Sequence, residues 1–238
     1  MEFFVSKYTD KGGRELNEDC IGILTDVFVV ADGLGGHMSG EVASRNVVEY
    51  IIDNYANIED IENSIMHNII RDVNSEVYNL KISDKSYGNM ASTVVAAFLK
   101  NGRFNYFNVG DSRLYYFRNG KIILQSKDHS VTQACVDLGE IRREDMRFHD
   151  DRNKLTKAIG LTEDIKIVNV FNSMELFEND AILMCTDGFW EYVLEKEMEK
   201  TLKKSETPQQ WLDAMLKKLS KRIKKNNDNL SAIAIFVK

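Results

Sequence analysis

Residues 29–41 read VVADGLGGHMSGE: an apolar run ends in Asp32, glycines surround His37, and Glu41 closes the stretch. Such a turn either cradles a ligand with backbone N–H groups or lets carboxylates hold a charged partner. A dinucleotide fingerprint has glycine at its first, third and sixth positions, and here Gly33 and Gly35 are followed by Met38 at the sixth. A phosphate-binding P-loop needs lysine after its last glycine, whereas Gly40 is followed by Glu41, which repels phosphate. Both phosphate cradles fail, which leaves the carboxylate.

Asp32 has companions. Asp111 in NVGDSR, Asp187 in LMCTDGFW and Asp228 in NNDNLSAI each stand at the edge of an apolar strand pattern, while Glu18 and Asp19 in RELNEDC precede another. Singly, each is a turn aspartate, since Asp-Gly and Asp-Asn end strands for reasons of backbone geometry. Together they point to several strand ends converging on one edge of a sheet. Carboxylates gathered without lysine partners repel one another unless cations neutralise them. All-oxygen ligation selects hard ions, magnesium or manganese, rather than zinc or copper. Two such ions clamp a phosphoryl displacement, and a water between them loses its proton near neutral pH and attacks phosphorus in line.

The elements that would carry these residues alternate along the chain. CIGIL and VFVVA read as strands. EVASRNVVEYIIDNYA reads as a helix with Val47, Val48, Ile51, Ile52 and Tyr55 on one stripe and Ser39 as its cap. Ile58, Ile61, Ile65, Ile69, Val73 and Val77 predict a second helix over 58–80. STVVAAFL, RFNYFNVG, RLYYFRNG and KIILQS form an antiparallel meander, with Asn-Gly as a tight hairpin signal. Residues 136–153 are densely charged and read as a surface flap. Strands resume at IKIVNVF and AILMCTDG, a helix spans 209–222, and SAIAIFV is a further strand. No linker or repeat interrupts the series, so residues 1–238 are expected to form one domain of the α+β class, antiparallel sheet layers covered by helices.

Composition narrows the partners. A net charge of −6 supplies no cationic field for nucleic acid, and the basic run KKLSKRIKK falls at a helix end, where it complements the dipole. Three isolated cysteines give neither a disulfide framework nor a thiolate zinc site, and no apolar run spans a bilayer. A soluble, cytoplasmic protein without nucleic-acid or membrane partners is expected.

RELNED, VVADGLGGHMSGEVAS, NVGDSRLYYFRNGK, SKDHSVTQ, RNKLTKAIG, CTDGFW and NDNLSAI together resemble, in order, the motif series of the metal-dependent protein phosphatases, type 2C, in their compact bacterial form. The resemblance runs from about Arg14 to Ser231 and implies a four-layer α-β-β-α sandwich of two antiparallel sheets flanked by helices, with a flap near the site. It implies that Asp32 bridges two Mn2+ or Mg2+ ions, that the Gly33 carbonyl serves one of them, and that Asp187 and Asp228 ligate the first. Asp19 would act through water with Glu18 beside it, and Asp111 would hold a third, weaker ion together with Asp187. Arg14 could bind phosphate oxygens in a fork, and His37 is a candidate proton donor to the leaving alkoxide.

Three positions depart from the pattern. Ala91 replaces a glycine, Asp150 stands where a proline follows the flap histidine, and Leu34 stands where distant relatives have histidine. His129 lacks a nucleophile motif and is expected to hydrogen-bond structurally, while Trp190, Trp211 and Cys185 are expected to pack. The implied activity is hydrolysis of phosphoserine and phosphothreonine in proteins by a monomer. A serine/threonine kinase would be its counterpart. The alternative is a noncatalytic phosphoprotein-binding regulator, which usually lacks a direct ligand; Asp32, Asp187 and Asp228 all stand.

Overall fold

The computed structural model describes residues 1–35, 39–58, 62–166, 170–223 and 225–238. In chain order, β1 (Phe3–Asp10), β2 (Asp19–Leu24) and β3 (Val27–Leu34) precede the helices α1 (Ser39–Tyr55) and α2 (Asn63–Ser83). Then come β4 (Ala91–Ser92), β5 (Val94–Lys100), β6 (Arg103–Val109), β7 (Arg113–Arg118) and β8 (Lys121–Gln125). The remainder comprises α3 (Val131–Asp137), β9 (Val170–Glu175), β10 (Ala181–Cys185), α4 (Asp187–Trp190), α5 (Glu195–Leu202), α6 (Pro208–Leu219) and β11 (Leu230–Val237). One sheet has the order β1-β11-β10-β7-β8 and the other β2-β3-β5-β6-β9, with β4 pairing β3. The pairings are antiparallel.

The layers follow from side-chain alternation. On β3, Val27, Val29 and Ala31 pack against α1 and α2, while Phe28 and Val30 face the other sheet. On β11, Ala232 and Ala234 meet the α4–α6 layer, and Ile233, Ile235 and Val237 point between the sheets. Both faces of the inner strands are therefore covered, which is why VFVVA and SAIAIFV read as nearly continuous apolar runs rather than alternating ones. The result is the four-layer sandwich expected from the motif series.

Local signals set several boundaries. Asn119 (φ 52°) and Gly120 (φ 66°) are both left-handed, the geometry of a type I′ hairpin between β7 and β8. Thr207 caps α6 by accepting from Gln210 N at 3.2 Å, with Pro208 in the first turn. Ser39 does not cap α1; it is the first helical residue, and its hydroxyl donates to Ser86 O at 3.3 Å. The strand expected at IKIVNVF is found as Val170–Glu175, and residues 167–169 lie outside the described residues.

Candidate metal centre

The two sheets bring their acidic strand ends to one cavity of about 240 Å³. Its lining includes Arg14, Glu18, Asp32, Gly33, Asp111, Asp187 and Asp228. On the second sheet, β2 and β3 place Asp19 directly opposite Asp32. The backbone of Asp32 is clamped on both sides: its N–H donates to Thr93 Oγ1 at 3.0 Å, and its carbonyl accepts from Ser92 Oγ at 3.0 Å and Thr93 N at 2.8 Å. Gly33 lies in a space that admits no side chain, since a Cβ there would stand 1.9 Å from Gly40 O and 2.7 Å from Glu18 O. From the first sheet, Asp187 opens α4 immediately beyond β10, and Asp228 precedes β11. Asp111 sits in the β6–β7 turn after Gly110 (φ 99°).

Convergence shows in the electrostatics. Burial pushes the Asp32 carboxyl well up, and Asp19, Asp187, Asp111 and Asp228 all add to that shift through their charge. Asp187 is raised by burial, then by Asp111 and Asp228. Asp19 and Asp111 are each pushed up to about 7, mainly by burial. Compensation is sparse: Arg14 Nη2 donates to Asp228 Oδ2 at 2.7 Å from an exposed position. Asp19 Oδ1 and Asp187 Oδ1 are buried and have no hydrogen-bond partner among the described residues. A buried, unpartnered carboxylate oxygen is costly, so these atoms call for a cation. An all-oxygen donor set with two such orphans fits hard divalent ions. In the structure as it stands, no three of these side chains among the described residues meet at ligand spacing, and Asp228 is held by Arg14.

The family model for protein phosphatase 2C matches residues 18–233. The chain belongs to the protein phosphatase 2C family. It is 32% identical over 222 residues to the serine/threonine phosphatase stp of Listeria monocytogenes, covering 88% of this chain and 87% of that protein. The crystal structure of the serine/threonine phosphatase Stp1 from Staphylococcus aureus superposes with a TM-score of 0.88 at 29% identity, over 100% of this chain and 96% of that one. The catalytic domain of PstP, solved in complex with two manganese ions, shares the fold, with a TM-score of 0.84, 23% identity, and coverage of 98% and 97%.

Within this protein phosphatase 2C fold the motif residues fall as follows. Asp32, Gly33, Asp111, Asp187, Asp228, Glu18 and Arg14 share the cavity; Asp19 is buried beside Asp32 without lining it. His37 lies outside the described residues. Asn153 and Leu155, from the RNKLT motif, also line the cavity, although their types alone announce no role. Glu191 was legible only as one helical turn beyond Asp187; burial raises its carboxyl, and its charge raises those of Asp187 and Asp111.

The remaining expectations divide. Trp190 packs, stacked on Arg113 at 3.4 Å, and its indole N–H also donates to Asp111 O at 3.0 Å. Trp211 is fully buried with its N–H on Met198 O at 3.0 Å, and Cys185 is buried, with its thiol pushed up. The expected hydrogen-bonding role of the His129 side chain is not found: both ring nitrogens are buried without a partner among the described residues, and burial lowers the ring to about 4, so it stays neutral. Its backbone is engaged instead, N–H to Gly110 O and carbonyl to Thr156 N, each at 2.8 Å. Ala91 pairs with Leu34 between β4 and β3.

Proposed function

We propose that the cavity binds two Mn2+ or Mg2+ ions, with Asp32, the Gly33 carbonyl, Asp187 and Asp228 as direct ligands, Asp19 acting through water with Glu18 beside it, and Asp111 serving a weaker third ion. The observation that carries this reading is the pair of buried, unpartnered oxygens on Asp19 and Asp187. Bound cations would neutralise the carboxylates, withdraw charge from the phosphoryl oxygens and acidify a water for in-line attack on phosphorus. The reaction class is that of the family: metal-dependent removal of phosphate from serine and threonine side chains of proteins. The noncatalytic alternative is not favoured.

The chain's own residues then have distinct tasks. Arg14, at the exposed rim, presents its guanidinium to two phosphate oxygens and fixes the ester in the mouth of the cavity. The carboxylates below it bar free phosphate unless cations are in place, which couples substrate entry to metal loading. His37 is proposed to protonate the departing serine or threonine oxygen. Residues 136–153 form the proposed flap beside the cavity, within a single catalytic domain spanning 1–238. No helix among the described residues is long and apolar enough to cross a membrane, and a cytoplasmic monomer paired with a serine/threonine kinase is the proposed setting.

The test is hydrolysis of an aryl phosphate and of a phosphothreonine peptide by chelator-stripped protein with and without added Mn2+. Turnover that begins with Mn2+ and stops with chelator is expected; equal turnover in chelator would overturn the reading.

A further inference from the structure

Asp19 and Thr186 belong to different sheets. Asp19 opens β2, Thr186 directly follows β10, and the Thr186 hydroxyl lies 3.0 Å from Asp19 Oδ2. The surroundings fix the direction of that bond. Ser231 N–H donates to Thr186 Oγ1 at 3.0 Å, which leaves the threonine's own hydrogen for the carboxylate. The Ser231 hydroxyl is engaged elsewhere, 2.9 Å from Thr9 Oγ1. Oδ1 has no partner among the described residues, so the threonine hydroxyl acts on Oδ2 alone. Thr186 and Ser231 are wholly buried, so water does not compete for these bonds.

The position matters as much as the bonds. Thr186 is followed by Asp187, and Asp19 stands opposite Asp32 in the β2–β3 register. The Thr186 hydroxyl contact therefore joins the backbone that carries Asp187 to the backbone that carries Asp32, where the two sheets contribute carboxylates to one cavity. Resting on the cation reading above, we propose that Thr186 is a positioning residue for metal binding. Its hydroxyl engages Oδ2 of Asp19, leaves Oδ1 as the oxygen available to a cation or its water, and sets the spacing of the two sheet ends. Outer partners of this kind orient ligand carboxylates and raise metal affinity.

A purely structural link between sheets would affect folding without affecting metal uptake, so the test reads binding directly. Chelator-stripped wild type, Thr186→Val and Thr186→Ser are titrated with Mn2+ alone, following the free-ion EPR signal, and each is also melted in chelator. Thr186→Val is expected to weaken Mn2+ affinity by about tenfold or more, while Thr186→Ser, which restores the hydroxyl, stays within about threefold of wild type. In an Asp19→Asn background the Thr186→Val change should add little further loss, because the hydroxyl acts through that carboxylate. Wild-type affinity in Thr186→Val, whatever its melting temperature, overturns the proposal, as does a full additional loss in the Asp19→Asn background. If Thr186→Val does not fold, Thr186→Ala removes the same hydroxyl and carries the same measurement with the same outcomes. Failure of the wild type to take up Mn2+ is a different result, and it sinks the cation reading itself.

Discussion

Strand β10 carries an aspartate just beyond each end, and the two are treated in opposite ways. Asp180, before the strand, is 2% exposed and saturated: Arg118 donates to both its oxygens at 3.0 and 2.9 Å, Phe177 N–H donates at 2.8 Å, and the Tyr116 hydroxyl adds another bond. Asp187, after the strand, has a buried Oδ1 with no partner among the described residues and faces other carboxylates. The same side chain is closed into the fold at one end and held open at the other. Burial alone therefore does not mark a functional acid; lack of internal satisfaction does.

Substitution at both ends tests that contrast most severely. Asp187→Asn should lower Mn2+-dependent turnover by about a hundredfold or more, yet leave the melting temperature in chelator unchanged or higher, since it removes a repelled buried charge. Asp180→Asn should do the reverse, costing about 3 kcal/mol or more in urea unfolding by leaving Arg118 poorly matched, while the folded fraction turns over at a near-normal rate. If the two variants behave alike, the distinction between closed and open ends is lost.

A pH series sharpens it. Asp19 and Asp111 titrate near 7 when folded without metal and near the ordinary 3.8 when unfolded, so between these values the folded state binds more protons. Metal-free stability should then fall as pH rises from about 4 to about 7, because stability rises with pH only where the unfolded state holds more protons. Cations compete with those protons, so the rise in melting temperature on adding Mn2+ should grow over the same window. Equal rises at about pH 5.5 and about pH 8 would contradict it. The smallest effect is expected at the rim. Arg14→Ala should raise KM about tenfold with a lesser change in kcat, and because the Arg14–Asp228 pair is exposed, it should alter stability by less than about 1 kcal/mol.

The inner layers were legible from sequence because strands covered on both faces cannot avoid apolar runs, and the site because aspartates at their ends have few other reasons to cluster. Elements with little core were not. The edge strand β1, FFVSKYTD, mixes half-buried and exposed residues and pairs on one side with β11, so its pattern is weak. Helix α5, EKEMEKTL, buries Met198 and Thr201 alone and otherwise reads as a charged loop. Helix α3 was hidden because only Thr132 and Gln133 are buried in it, and both are polar. Asn153 and Glu191 escaped for another reason: the place of Asn153 in the cavity, and of Glu191 where its charge reaches Asp187 and Asp111, is set by tertiary approach, which residue type does not encode.

The pairing of β1 with β11, Phe3 opposite Val237 through Asp10 opposite Leu230, bears on biosynthesis. Strand β1 is synthesised long before its sheet partner β11, which occupies an inner place between β1 and β10. That sheet therefore stays incomplete, with β1 separated from β10, until translation passes residue 237, while β7, β8 and β10 within it, and β2, β3, β5 and β6 of the other, can pair earlier. Asp228 arrives with β11, so a nascent chain cannot assemble the complete acidic set before that strand is made.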